Sequence, residues 1–252
     1  EVIIPTPTFG MYSFGTEIVG GKVINVPRDH AYDIDVEAIL HAVTDKTKII
    51  FLTSPNNPTG NLVSHEHVTQ LLESGVMIVV DETYYEFCKK THLGLLEHYS
   101  NLVILRTFSK WAGLAGLRIG FGIMHKELVD TIMAMKPPYN VSLAAEIAIY
   151  ASLDDRERLS ARVDEIVSER GRVFDKLKDI QGIKLYPSMG NFILCEFQDG
   201  IGKVIYDSLC EQGIYLRYFG KPPLEDSIRF SIGKPNENDK VISEITKIIS
   251  GR

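Results

Sequence analysis

The sequence has no long uninterrupted apolar run. None approaches the roughly 20 residues that a membrane-spanning helix requires, so nothing in the chain suggests a membrane-embedded protein. An excess of basic charge is also missing, because 27 Lys and Arg residues are outnumbered by 33 Asp and Glu residues and the net charge is −6. Such a balance gives no general attraction to nucleic acid or to an anionic membrane surface. We therefore expect neither of these as a partner.

Cysteines are scarce, and Cys88, Cys195 and Cys210 are spaced neither as metal ligands nor as a disulfide framework. We expect reduced thiols in a cytoplasmic protein. The histidines suggest no metal site either, because His65 and His67 stand at a predicted helix start without a third ligand. The other histidines are expected on the surface, namely His30, His41, His92, His98 and His125.

Short apolar runs rich in β-branched residues recur through the first part of the chain. They cover residues 22–26, 49–53, 76–80, 102–106 and 119–123. Runs that are apolar on both faces are typical of a buried, mainly parallel sheet. Helical periodicity lies between them at 35–43 and 64–74, with Ser64 as a candidate N-cap. This alternation of strands and helices predicts an α/β fold.

The pattern changes near residue 155, where a long, charged amphipathic helix is predicted over 155–179. Short strands at 183–186, 192–197, 214–218 and 228–232 follow it, together with helices at about 202–211 and 239–249. We place a domain boundary in the long helix. It divides a large domain, residues 1–155, from a smaller C-terminal α+β domain, residues 156–252.

Three of the predicted strands are followed directly by polar residues. The segments are Pro55-Asn56-Asn57-Pro58-Thr59-Gly60, Asp81-Glu82-Thr83-Tyr84 and Thr107-Phe108-Ser109-Lys110, with Arg118 eight residues after the last. In open α/β sheets, ligands bind beyond the carboxyl ends of the strands. The three segments should therefore meet at one edge of the sheet.

The chemistry of these residues matches the needs of pyridoxal 5′-phosphate (PLP). Its aldehyde requires an amine, and its pyridine nitrogen stays protonated beside a buried carboxylate. Its ring oxygen requires hydrogen-bond donors such as an amide and a phenol. Its phosphate is suited to hydroxyls and to a guanidinium, which can bind it through two parallel hydrogen bonds.

Taken together and in this order, the motifs resemble the fold-type-I aminotransferases of classes I and II. The resemblance implies a three-layer αβα large domain with a mainly parallel sheet. It implies that Lys110 is the Schiff-base lysine and proton shuttle, that Asp81 pairs with the pyridine nitrogen, and that Tyr84 and Asn57 donate to the ring oxygen. The phosphate cradle that it implies consists of Thr107, Ser109 and Arg118.

Further segments resemble the histidinol-phosphate aminotransferases within that superfamily. They are residues 7–12 (PTFGMY), 115–120 (AGLRIG), 190–192 (GNF), 213–217 and 228–233. This resemblance implies that Phe9 stacks on the cofactor ring with Tyr12 beside it. It also implies that Arg217 and Arg229 bind the anionic group of the substrate, next to Asn57 and Tyr12.

The implied reaction moves an amino group between glutamate and imidazole-acetol phosphate, giving histidinol phosphate and 2-oxoglutarate in histidine biosynthesis. Members of the family are homodimers with a shared active site. Two other activities share the fold and motifs, namely a threonine-phosphate decarboxylase-like reaction and aromatic amino acid transamination. A PLP-fold binding module without turnover is the alternative that is not an enzyme.

The chain departs from the family pattern at its start and beside the lysine. Residues 1–5 are predicted to be a strand without a lead-in, and native proteins rarely begin inside a buried strand. Family chains are longer at this end, where they carry a Gly-rich phosphate-binding turn and a tyrosine that reaches the partner's site. We therefore expect part of a longer protein, which by itself would bind PLP weakly. Trp111 also stands where a smaller residue is common.

Overall fold

The computed structural model describes residues 1–251, and its first part forms a six-stranded sheet in the order β2-β1-β3-β4-β5-β6. The strands are β1 (Val2–Thr6), β2 (Val23–Pro27), β3 (Ile49–Thr53), β4 (Met77–Asp81), β5 (Leu102–Thr107) and β6 (Gly120–Met124). All neighbouring pairs are parallel except β5 with β6. The prediction of an α/β fold with a mainly parallel sheet is confirmed.

Six helices accompany this sheet. They are α1 (Met11–Ile18), α2 (Val36–His41), α3 (His65–Leu72), α4 (Tyr85–Cys88), α5 (Lys126–Met135) and α6 (Leu143–Asp154). The predicted α2 and α3 begin where side chains cap them, since Asp35 accepts from the Ala38 amide and Ser64 from the His67 amide. Helix α6 carries apolar residues on all sides, so its sequence shows no helical periodicity and the helix was not predicted. Within residues 1–251, no helix combines the length and apolar character needed to span a bilayer.

The C-terminal part forms a second, antiparallel sheet in the order β7-β8-β10-β9. Its elements are α7 (Arg156–Leu177), β7 (Ile183–Tyr186), β8 (Phe192–Phe197), α8 (Gly202–Glu211), β9 (Arg217–Tyr218), β10 (Ser227–Ser231) and α9 (Pro235–Ser250). Helix α9 begins four residues before its predicted start, because Pro235 opens its first turn and the Glu237 carboxylate accepts from the Lys234 amide. The boundary between 155 and 156 falls at the start of α7 and stays a prediction.

Each sheet packs against helices through a separate apolar core. In the first core, Ile50, Leu52, Ile78 and Ile104 are fully buried with residues of α2 and α3. The second core lies between β8, β10 and helices α7 to α9. Each such side chain contributes about 1.5–3 kcal/mol when fully buried. These cores therefore hold the ends of β3, β4 and β5 in fixed relative positions.

The loop after β3 is seated against the C-terminal sheet. Gly60 has a φ of +83°, and a Cβ there would lie only 2.3 Å from Ser188 Oγ. Its carbonyl accepts a 2.8 Å hydrogen bond from the Met189 amide. The close approach and the positive φ both require glycine, which explains the Gly that ends the Pro-Asn-Asn-Pro-Thr-Gly motif.

Candidate active site

A cavity of about 210 Å³ opens at the carboxyl edge of the parallel strands. Its lining residues are Phe9, Tyr12, Thr53, Asn57, Asp81, Thr83, Tyr84, Lys110 and Arg229. All of them except Thr53 and Thr83 are candidates that the sequence supplied. The structure thus brings residues of α1, β3, β4 and β10, and of the loops after β1, β3, β4 and β5, around one space.

Asp81 is the last residue of β4, and its carboxylate receives donors on both oxygens. Its Oδ1 accepts from the Thr83 amide at 2.9 Å and also from the Thr83 hydroxyl. Its Oδ2 accepts from the Tyr12 hydroxyl at 2.6 Å. Donors on both oxygens fix the orientation of the carboxylate. A carboxylate held in this way can pair with a protonated ring nitrogen.

Tyr12 lies on α1, with its ring stacked on Phe51 at a centroid distance of 4.7 Å. Its hydroxyl also lies 3.0 Å from Thr53 Oγ1. Burial, followed by the charge of Asp81, raises the pKa of Tyr12 well above its usual value. The hydroxyl therefore stays protonated and acts as a donor. The sequence placed Tyr12 beside the cofactor but did not predict its contact with Asp81.

Lys110 follows β5, with its Nζ 5.8 Å from the centre of the Tyr84 ring. Partial loss of hydration, and then the charges of Arg229 and Arg118, lower the pKa of Lys110, while Asp81 opposes this shift. A lower pKa leaves more of the amine neutral near pH 7, which is the form that attacks a carbonyl or takes a proton. Burial raises the pKa of Tyr84, so its phenol remains a donor.

Arg229, from β10, reaches across to the loop after β3. Its Nη1 donates a 2.6 Å hydrogen bond to Asn57 Oδ1, and its guanidinium carbon lies 5.2 Å from the centre of the Phe192 ring. Its Nε is buried without a hydrogen-bond partner among the described residues. Burial, and then the charge of Arg217, lower the pKa of Arg229, although Tyr84 opposes them. A partly buried guanidinium with an unused donor is suited to an anionic ligand.

Thr107 and Ser109 lie together at the end of β5, with their hydroxyl oxygens 2.8 Å apart. The Ser109 amide donates to Thr107 Oγ1 at 3.0 Å. Arg118, in contrast, is exposed, and its Nη1 donates to the Ala115 carbonyl at 2.9 Å. Arg217 is also exposed, as the neighbour of Arg229 across the β9–β10 pair. These two arginines do not line the cavity.

A buried ionic cluster, which the sequence did not predict, lies next to the site but outside the lining of the cavity. Glu82 is fully buried and accepts from Arg106, Thr91 and His92. The expectation that His92 lies on the surface is wrong, since only 3% of it is exposed. Its sequence neighbours do not reveal the buried carboxylate, which lies ten positions earlier. Within residues 1–251, no three His, Cys, Asp or Glu residues are grouped to hold a metal ion.

Comparison with known protein families gives one match that spans nearly the whole chain. The model of the aminotransferase class I and II family matches residues 1–245. The chain is 46% identical over 245 residues to a histidinol-phosphate aminotransferase of Dehalococcoides mccartyi strain CBDB1, covering 97% of this chain and 68% of that protein. It is 43% identical to the enzyme of that name from Roseiflexus castenholzii, covering 96% of this chain and 66% of that protein.

Solved structures give a concordant result. The histidinol-phosphate aminotransferase of Clostridium acetobutylicum superposes with a TM-score of 0.92 at 28% identity, covering 100% of this chain and 78% of that one. The corresponding enzyme of Sinorhizobium meliloti, in complex with pyridoxal 5′-phosphate, superposes with a TM-score of 0.90 at 25% identity. That match covers 99% of this chain and 70% of the other.

Proposed function

Because this chain belongs to the aminotransferase class I and II family, we propose that it transfers an amino group between glutamate and imidazole-acetol phosphate. The products are 2-oxoglutarate and histidinol phosphate, which makes the reaction a step of histidine biosynthesis. The similarity to histidinol-phosphate aminotransferases over 97% of the chain supports this choice. The observation that carries it is the single cavity in which Lys110, Asp81 and Arg229 meet.

The lining of the cavity fits PLP, the cofactor of this class of enzyme. Lys110 supplies an amine for its aldehyde, and Asp81 supplies a carboxylate for its pyridine nitrogen. Since Asn57 Oδ1 is engaged by Arg229, the NH₂ group of the same amide is left to donate to the ring oxygen. Bound there, PLP provides an electron sink for the carbon that carries the amino group.

Three further residues would hold the cofactor's phosphate. Thr107 and Ser109 present adjacent hydroxyls at the end of β5. Arg118 follows in a left-handed conformation at the end of a short 3₁₀ turn, and its side chain would exchange the Ala115 carbonyl for a phosphate oxygen. Phe9, at the cavity wall, offers an aromatic face for the cofactor ring.

Lys110 and Tyr84 would manage the protons of the reaction. The lowered pKa of Lys110 makes its amine available to take a proton at Nζ and to return it. The phenol of Tyr84 stays protonated and donates at its hydroxyl oxygen. Tyr12 and Thr83 donate to Asp81 and hold its carboxylate in place.

Arg229 would bind the anionic end of each substrate in turn. One half-reaction presents a phosphate and the other a glutamate carboxylate, and a guanidinium fork suits both. Its unpaired Nε and its contact with Asn57 support this role. Arg217, next to it on β9, would add positive charge at the rim, and Tyr12 and Asn57 would complete the substrate's surroundings.

A substrate comparison tests the proposal. The holoenzyme is incubated with histidinol phosphate and 2-oxoglutarate, and glutamate formation is followed. Parallel reactions contain threonine phosphate, with detection of carbon dioxide, or an aromatic amino acid with 2-oxoglutarate. The proposal requires the largest kcat/KM for histidinol phosphate. Faster carbon dioxide release from threonine phosphate, faster transamination of the aromatic amino acid, or no turnover at all would each reject it.

We propose in addition that the enzyme works as a cytoplasmic homodimer and that its two domains are residues 1–155 and 156–252. Large apolar side chains remain exposed on three helices of the first part, among them Phe14 and Ile18 on α1, Met133 on α5, and Ile147 on α6. Apolar surface of this kind commonly marks an interface. Light scattering coupled to size exclusion measures the mass directly, and a monomer would contradict the dimer.

A further inference from the structure

A buried ionic cluster lies behind the cavity and takes no part in lining it. Its centre is Glu82, of which 0% is exposed, and its cationic partner Arg106 keeps only 12% of its side chain exposed. Buried carboxylates are costly unless they are paired and hydrogen-bonded. Glu82 is both, so its surroundings compensate for its burial.

The carboxylate of Glu82 is surrounded by donors. Its Oε2 accepts from Arg106 Nε at 3.1 Å, from Arg106 Nη2 at 2.9 Å and from the Thr91 hydroxyl at 2.8 Å. Its Oε1 accepts from the His92 amide at 2.7 Å and faces His92 Nδ1 at 3.3 Å. Burial alone would raise the pKa of Glu82, but these donors outweigh burial and hold the pKa below its usual value. The group is therefore ionised at neutral pH.

The two partners stand next to the residues that carry the chemistry. Glu82 directly follows Asp81, and its own amide donates to the Leu105 carbonyl at 2.8 Å. Arg106 directly precedes Thr107, the residue that leads into the segment ending at Lys110. The ion pair thus joins the carboxyl ends of β4 and β5, with Glu82 one position after Asp81 and Arg106 one position before Thr107.

Arg106 also supports the residues after Glu82. Its guanidinium carbon lies 3.6 Å from the centre of the Tyr85 ring, a cation–π distance. The Tyr85 amide donates to the Glu82 carbonyl at 2.9 Å. Tyr84, which lines the cavity, lies in the chain between Glu82 and Tyr85. Both of these residues contact Arg106, so the backbone on each side of Tyr84 is anchored.

We propose that Glu82 and Arg106 are positioning residues that lock the Asp81–Tyr84 segment to the Thr107–Lys110 segment, so that the cofactor's ring partner and its lysine keep a fixed separation. This inference rests on the proposed function for its effect on catalysis. Stability alone explains the pair poorly, because buried ion pairs are often no more stabilising than apolar residues of similar volume. Fixed geometry is the stronger reason, since a displacement of 1 Å at reacting groups can cost about 10²-fold in rate.

The first measurement needs neither substrate nor cofactor. Amide hydrogen exchange is recorded on the cofactor-free protein and on its Glu82→Gln variant. The lock requires faster exchange in two segments, residues 81–85 and residues 105–110. Faster exchange confined to residues near position 82 would contradict it. This outcome is independent of which reaction the protein catalyses.

The second measurement uses the holoenzyme. In Glu82→Gln we expect weaker PLP binding by about 10–100-fold, by analogy with the loss seen when the partners that orient metal ligands are removed. We also expect an upward shift in the pH midpoint of the bound cofactor's visible absorbance, because Asp81 protects the ring charge less well. kcat should fall more than KM rises.

Two further variants distinguish a positioning role from a purely stabilising one. Arg106→Lys retains the charge but loses the planar guanidinium. This variant should fold, and its PLP affinity and absorbance midpoint should change in the same direction as in Glu82→Gln but by less. Glu169→Gln is the matched control, since Glu169 likewise accepts from an arginine, Arg172, and from Asn238, but it belongs to the C-terminal part and does not line the cavity. It should change thermal stability and leave the absorbance midpoint unaltered. If folded Glu82→Gln keeps the wild-type PLP affinity and the wild-type pH midpoint of cofactor absorbance, the positioning role is wrong. A wild-type protein that binds PLP but transfers no amino group would count only against the proposed function.

Discussion

Arg229 Nη1 donates a 2.6 Å hydrogen bond to Asn57 Oδ1, joining two residues that are 172 positions apart. Arg229 belongs to the C-terminal sheet and Asn57 to the loop after β3. One side of the pair would meet the substrate's anionic group, and the other would meet the cofactor's ring oxygen. The pair therefore links substrate recognition to the orientation of the cofactor.

Arg229→Ala should raise the KM of both the phosphate substrate and glutamate. Loss of a hydrogen bond to a charged group typically costs about 1.5–3 kcal/mol, which corresponds to roughly tenfold to 150-fold in affinity. Arg217→Ala serves as the control, because Arg217 is exposed and should change KM less. Steady-state kinetics with both substrates gives the answer, and an Arg229→Ala enzyme with unchanged KM values would remove Arg229 from the site.

Tyr12→Phe should weaken cofactor binding, because Asp81 loses its 2.6 Å donor on Oδ2. The ring stack on Phe51 survives the substitution, so the protein should fold. Fluorescence titration with PLP measures the dissociation constant. Tyr215→Phe, at a residue that is 76% exposed in the C-terminal part, is the matched control. If the two variants bind PLP equally well, the Tyr12–Asp81 contact has no role in holding the cofactor.

Asp81→Asn should bind some PLP yet lose most of its turnover. An amide cannot compensate the charge of a protonated ring nitrogen, although it can still accept from Thr83. Groups that act by acid–base or electrostatic catalysis contribute about 10²–10⁴-fold in rate, and we expect a fall in kcat of at least this size. Turnover near the wild-type level would be incompatible with the role assigned to Asp81.

The pH dependence of Lys110 should change when a neighbouring charge is removed. The charge of Arg229 contributes to the lowered pKa of Lys110, so Arg229→Gln should move that pKa upward, toward the usual value of lysine. The neutral amine would then appear only at higher pH. The rate at which cofactor-free protein captures PLP, followed as a function of pH, reports the midpoint. Arg217→Gln should leave the midpoint where it is, and an equal shift in both variants would refute the assignment.

Much of the fold followed from local pattern. The runs that end at Thr53 and near Asp81 and Thr107 are apolar on both faces, which indicates buried parallel strands. Because parallel strands end at the same edge of a sheet, the polar residues after them are predicted to lie together there. Helix α6 could not be predicted, because its apolar residues lie on all sides and its hydrophobicity has no helical period. Helix α1 contains a glycine and has no side-chain cap at its start, so its boundaries carried no signal.

The candidate site was predictable as a set of residue types but not as a set of contacts. Asp81 and Lys110 were identified by order along the chain, whereas the hydrogen bond from Tyr12 to Asp81 depends on where α1 packs. The burial of His92 depends on the carboxylate of Glu82, which the sequence presents only as the residue after Asp81. Such contacts join distant segments, and no local periodicity encodes them.

Lys110 should carry the cofactor of this aminotransferase through a covalent bond. Purified protein is incubated with PLP, reduced with borohydride to fix the cofactor covalently, digested and analysed by mass spectrometry. We expect a phosphopyridoxyl group on the peptide that contains Lys110, and its loss in Lys110→Ala. A reduced cofactor attached to a different lysine in the wild-type protein, or the absence of any attachment, would contradict it.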